Sequence, residues 1–175
     1  MFRKDKALFR KNSSSSIIIG NVIDYISKGK RKKLSPGLVN SIHQFSEKIS
    51  EELLEMVDNV PVTSRESLQQ SFLYVMENMF EDKIYTYERI LCILVFGGLI
   101  AKRCIKEGRK NLINIVKELL EQFINDNILD WLNKHGGWEG YSAYFEEETI
   151  GVLLLKTGLA AAGVVTLAIA AIRLY

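Results

Sequence analysis

The sequence predicts an all-α fold: a helical bundle around a buried central hydrophobic helix, followed by a C-terminal transmembrane helix. Three observations predict it. Residues 90–101, Ile-Leu-Cys-Ile-Leu-Val-Phe-Gly-Gly-Leu-Ile-Ala, carry no charge and no polar stripe at the helical or the strand period. Elsewhere apolar residues recur at spacings of three and four, and the 175-residue chain has only two prolines. Residues 150–172 then form a second, longer apolar run.

A helix that is apolar all round must be buried on every side or lie in a membrane. The twelve residues 90–101 make about 18 Å of helix, too short for a hydrocarbon core of about 30 Å. They are read as the centre of the bundle. A buried strand is the rival, because periodicity does not separate the two over so short a run. The flanks favour helix: Thr86 suits an N-cap, and Lys102, Arg103 and Lys106 crowd the end where the helix dipole favours cations.

The length suits one domain that is stable without staples. Cys92 and Cys104 match no zinc spacing, and Cys92 reads as a small core residue. His43 and His135 have no second ligand nearby, so no metal or cofactor is expected. The net charge of +2 hides an asymmetry: residues 1–34 carry +8, residues 35–148 carry −8, and residues 149–175 carry +2. The basic start suits anionic lipid or nucleic acid, but a solvated flexible arm is the simpler account, and no nucleic-acid partner is expected. The start lacks the apolar core of a secretory signal.

In order, residues 1–16 read as a flexible basic arm ending in four serines. Ile17, Ile18, Val22, Tyr25 and Ile26 then mark a first helix, with Ser16 as its cap. The run Lys28 to Lys33 ends it, and Ser35-Pro36-Gly37 is a turn or helix start. Residues 38–57 give a second helix with Leu38, Ile42, Phe45, Ile49, Leu53 and Met56 on one face. Thr63 and Glu66 form a capping-box pattern for a third helix, whose apolar side is Leu68, Phe72, Val75, Met76 and Met79. After the central helix, Leu112, Ile115, Leu119, Leu120 and Phe123 face inward from another helix, which Asn125 to Asn127 interrupt. A short helix from Ile128 stops at Gly136-Gly137, and Trp138 opens a last one. The helical domain thus spans 17–148.

Residues 149–175 are read as a membrane anchor. The 23 residues from Ile150 to Ile172 make about 35 Å of helix, enough to cross a bilayer with some tilt. Lys156 lies near one end, where its stem snorkels to the head groups. The rival is a buried core helix, but the bundle already has one.

Two motifs carry a family resemblance. The stretch from Phe80 to Leu91, Phe-Glu-Asp-Lys-Ile-Tyr-Thr-Tyr-Glu-Arg-Ile-Leu, leads through Phe96 to Gly97-Gly98. It resembles the first homology region of the Bcl-2 family of apoptosis regulators, whose Asn-Trp-Gly-Arg core is here Thr86, Tyr87, Glu88 and Arg89. The stretch Trp131-Leu-Asn-Lys-His-Gly-Gly-Trp-Glu-Gly resembles the second, with Gly136, Gly137 and Trp138 as its structural motif. The resemblance covers about residues 17–175, and the short, Bfl-like pro-survival members look nearest.

The resemblance implies a surface groove that accepts the amphipathic Bcl-2 homology three (BH3) helix of pro-apoptotic partners, Bax- or Bak-like or BH3-only. Arg89 would pair with an aspartate of that helix, because a guanidinium meets a carboxylate bidentately. Val75, Met76, Met79 and Phe96 match positions lining the groove floor, though spacing alone favours core packing for them. Trp138 is expected to fix the end of the bundle.

Two departures stand out. Glu88 replaces a glycine that lets the ligand backbone approach closely; it reads either as a favourable first-turn acid or as a residue that alters partner choice. Thr86 replaces an asparagine. The second helix lacks the family's killer signature, with Ile42 and His43 where Gly-Asp would fall. The chain is therefore expected to be a non-enzymatic anti-apoptotic protein, tail-anchored in the mitochondrial outer membrane or endoplasmic reticulum with its body in the cytosol. A pore-forming killer of the same fold, or a tail-anchored scaffold with an unused groove, is the alternative.

Overall fold

The uncharged run lies inside a helix of Tyr87–Lys106, and Leu99 alone among residues 90–101 is not fully buried. This computed structural model describes residues 2–31, 33–48 and 50–147. Its order is α1 Phe2–Lys28, α2 Pro36–Lys48, α3 Ser50–Asn59, α4 Arg65–Met79, α5 Tyr87–Lys106, α6 Leu112–Phe123, a π-helical turn Ile124–Ile128, α7 Leu129–Lys134 and α8 Gly137–Glu147. The described residues contain no strand, so the helix reading of the central run holds and the strand rival falls.

α5 is the axis. α1 lies along it in the most extensive helix pair of the fold, α6 packs on another side, and α3 and α2 touch its remaining flanks. α2 packs against α8, and α4 packs against α6. α4 also reaches α5 through Phe72, whose ring stacks on Phe96 at 5.3 Å between centroids. Thr86 caps α5 as expected: it is extended (φ −139, ψ 159) and its hydroxyl accepts from the Arg89 N–H at 3.2 Å. Such a cap is worth about 1 kcal/mol.

Several local readings are corrected. α1 begins at Phe2 rather than after Ser16, so the segment read as an arm is helical. Ser16 is therefore not a cap. The face of α1 is also rotated: Ile19, Val22 and Ile23 are buried, whereas Ile17 is 55% exposed. The cap of α4 is Ser64, not Thr63. Ser64 and Ser67 exchange hydrogen bonds in a capping box, and Thr63 only joins their hydroxyl network. The run expected as one helix over 38–57 is two elements, α2 and α3, on either side of residue 49. In α6 the buried set includes Ile113 and Val116, and Ile115 is only partly buried.

Asn125 to Asn127 do not break the chain's helical course. They widen it into a π turn, and the Asn127 amide donates to the Phe123 carbonyl at 3.0 Å. α7 then ends where the sequence placed its stop. Gly136 and Gly137 have φ of +94 and +66, a left-handed backbone that suits glycine.

No helix among the described residues is long and apolar enough to cross a membrane. The anchor reading of residues 149–175, with Ile150, Lys156 and Ile172, lies outside the described residues.

Candidate functional site

The two motif stretches, some fifty residues apart in sequence, meet in space at the N-terminal end of α5. Tyr87 is the hinge of the contact. Its ring packs edge-on against Trp131 and Tyr141, at 5.3 and 5.8 Å between centroids, and its hydroxyl donates to the His135 carbonyl. Glu88, in the first turn of α5, accepts a hydrogen bond from the Tyr144 hydroxyl of α8. Trp138, buried at the start of α8, donates from Nε1 to the buried Ser15 hydroxyl of α1 at 3.0 Å. Gly136, Gly137 and Trp138 thus turn α8 back and tie it to α1, while Tyr87 and Glu88 tie it to α5.

Arg89 is 9% exposed, one of three buried polar or charged side chains among the described residues. Burying a guanidinium is costly unless its donors are met. Here both terminal nitrogens find acceptors within the chain. Nη1 and Nη2 each donate to one oxygen of Asp82, at 2.6 and 2.7 Å, the bidentate fork geometry. Nη1 also donates to the Ile84 carbonyl at 2.9 Å and, at 3.4 Å, to the Met79 carbonyl. The hydrogen bond from Arg89 holds the Asp82 carboxyl below its ordinary value of 3.8, despite some burial. The sign follows: the pair contributes fully above that ordinary value and fades as pH falls through the lowered one.

The Asp82 loop is a tight surface turn between α4 and α5. The Lys83 N–H donates to the Phe80 carbonyl at 3.0 Å, and the Ile84 N–H donates to the Asp82 carboxylate at 3.0 Å. Lys83 takes a left-handed backbone, φ +57, which a side chain tolerates at some cost. Phe80 and Tyr85 stack at 5.5 Å and close the base of the loop, while Ile84 stays 54% exposed.

The expected floor residues are sealed. Val75, Met76 and Phe96 are 0% exposed and Met79 is 1%. They pack as core among the described residues. α3 rests on α5 and α2, and α4 rests on α6; among the described residues α3 and α4 make no extensive contact with each other.

Cys92 is buried beside Arg89, and burial pushes its thiol up to about 12 although the Arg89 charge pulls the other way. His43 Nε2 meets the Tyr25 hydroxyl at 2.6 Å. Among the described residues no three His, Cys, Asp or Glu side chains are grouped to hold a metal.

Sequence reasoning missed Asp82, Tyr144 and Ser15. Asp82 stood in the quoted motif, seven residues before Arg89, but a surface acid gives no signal of its partner.

Comparison with known proteins follows the same line. The family described as apoptosis regulator proteins, Bcl-2 family, matches residues 38–138. The Bcl-2-related protein A1 of Bos taurus is 27% identical over 124 residues, covering 69% of this chain and 71% of that protein. An apoptosis regulator Bcl-2 homologue of African swine fever virus is 28% identical over 134 residues, covering 76% of this chain and 73% of its own length. The human apoptosis regulator BAX is 22% identical over 96 residues, 55% of this chain and 50% of that protein.

Proposed function

The chain belongs to the Bcl-2 family of apoptosis regulators, and from that premise we propose that it is an anti-apoptotic member that captures the BH3 helix of pro-apoptotic partners. The observation that carries the reading is the Arg89 guanidinium, seated at the start of α5 with its fork engaged bidentately on a carboxylate. A ligand helix bearing one acid among apolar anchors suits that fork and would lie between α3 and α4. Val75, Met76, Met79 and Phe96 would line the floor of the groove so opened, with Thr86 and Glu88 at its rim.

Protector is preferred over killer because α2 cannot readily be offered as a ligand. Ile42, where a small residue is needed, is 3% exposed in the core. His43, where an acid is needed, is engaged with Tyr25. A second reading, a scaffold with an unused groove, is favoured by one observation: Arg89 is already paired with Asp82.

Full-length protein expressed in cells given a death stimulus is expected to reduce cytochrome c release, and Arg89→Ala to lose most of that protection. Release triggered in cells that lack every other killer would sink the protector reading. Equal protection by wild type and Arg89→Ala would favour the scaffold.

The tail belongs to the proposal as well. Residues 149–175 would hold the protein in the mitochondrial outer membrane or endoplasmic reticulum, body facing the cytosol. Alkaline extraction should leave the full chain in the membrane pellet and release a chain ending at residue 148. If both wash off alike, the anchor is wrong.

A further inference from the structure

The Asp82 carboxylate sits where a ligand carboxylate would have to go. Both terminal nitrogens of Arg89 are committed to it, and the second N–H of Nη1 is shared between the Ile84 carbonyl at 2.9 Å and the Met79 carbonyl at 3.4 Å. A guanidinium has only five N–H groups, and the paired fork is the face that reads a carboxylate bidentately. A second carboxylate therefore reaches the fork only if the first leaves.

The loop is built so that it can leave. The Asp82 side chain is 43% exposed, against 10% for Arg89, so the acid regains water by swinging outward while the arginine stays. Lys83 and Ile84 beside it are already exposed, so opening uncovers little apolar surface. Phe80 and Tyr85 stack at the base, apart from the tip that carries Asp82. The left-handed backbone of Lys83 puts a small strain in that tip.

We propose that Asp82 is an internal competitor for Arg89, a carboxylate held in cis that satisfies the guanidinium at rest and is displaced by the acid of an incoming helix. The proposal rests on the reading of Arg89 as the ligand's charge partner. It makes Asp82 a specificity-setting residue. A partner with an acid exchanges one carboxylate for another and gains only the difference. A partner without one leaves Asp82 in place. The apparent affinity for acid-bearing helices is lowered by the fraction of protein in the open state.

The test measures affinity of the full-length chain in lipid nanodiscs for a synthetic BH3 peptide carrying its aspartate, and for the same peptide with asparagine there. Asp82→Asn should tighten the acid-bearing peptide about fivefold and leave the asparagine peptide unchanged. Asp82→Ala should do the same, which guards against a fold defect peculiar to one variant. Arg89→Ala should weaken the acid-bearing peptide more than about tenfold and erase the gain from Asp82→Asn in the double variant. If Asp82→Asn leaves the acid-bearing peptide unchanged or weakens it while Arg89→Ala still weakens it, the competitor idea is overturned and the Arg89 reading stands. If Arg89→Ala changes nothing, the Arg89 reading itself falls.

Discussion

Replacing Gly37 by alanine is expected to cost about 3 kcal/mol of stability. Gly37 is the second residue of α2, after Pro36, whose fixed φ and missing N–H suit a first helical position. Its N–H donates to the Glu146 carboxylate of α8 at 2.9 Å, so an acid from the far end of the chain sits on the N-terminus of α2. That bond lowers the Glu146 carboxyl, helped by the Ser35 side chain. A Cβ on Gly37 would lie 2.7 Å from the Phe145 carbonyl carbon and 2.8 Å from the Glu146 Cα, and closer still to the Phe145 oxygen. These are backbone atoms, which no rotamer change can move. The first turn of α2 would have to lift off α8, and the buried Phe145 and Leu38 would lose their seats. Urea unfolding should show a lower midpoint at an unchanged slope. Gly20→Ala is the control: among the described residues no atom outside its own stretch of helix backbone lies within 4 Å of the added Cβ, and mid-helix alanine should stabilise α1 by up to about 1 kcal/mol. A Gly37→Ala loss below about 1 kcal/mol would show that α2 and α8 are not in hard contact.

The sequence offered Ser35-Pro36-Gly37 as a turn or a helix start and showed no need for glycine, because the obstacle comes from a residue more than a hundred positions away. The same divide runs through the fold. α5 was readable because twelve residues without a polar atom in their side chains, save one thiol, leave few choices. Thr86 and the Gly136-Gly137 stop were readable because caps and left-handed turns are local. The phase of α1 was not, since three consecutive isoleucines offer three faces, and Trp138 helps choose among them by bonding Ser15. At the site, Arg89 was legible through its motif, and its partner was not. Asp82 is an ordinary loop acid until the turn at Lys83 brings it back over the helix. Val75, Met76, Met79 and Phe96 carry no signal that separates a groove floor from a core, because both demand apolar side chains at helical spacing.

Arg103→Met is expected to cost about 2 kcal/mol and to loosen α3 in particular. The sequence placed Arg103 at the C-terminal end of its own helix, as a favourable cation. The structure sends its side chain across to α3 instead. Nη1 donates to the carbonyls of Val57, Asp58 and Val60 at 2.6, 3.0 and 2.7 Å, at and just past the C-terminal end of α3, where the Val57 carbonyl otherwise accepts only a 3.3 Å turn bond from the Val60 N–H. Nε pairs with Glu107 at 2.6 Å, which fixes the aim of the fork. α3 is 10 residues long, and among its described side chains Met56 and Val57 are buried while Leu54 is 46% exposed, so its described packing lies in its C-terminal half, where the Arg103 cap also acts. Methionine keeps the aliphatic bulk but removes every donor, so the three carbonyls must find water or fray. Because α3 would form one wall of the proposed groove, the cap also sets how readily that wall moves. Hydrogen exchange should therefore rise across residues 50–59 in Arg103→Met by more than it rises in α5, reporting local opening rather than global unfolding. Equal protection of α3 in both proteins would show that packing, not Arg103, holds the wall in place.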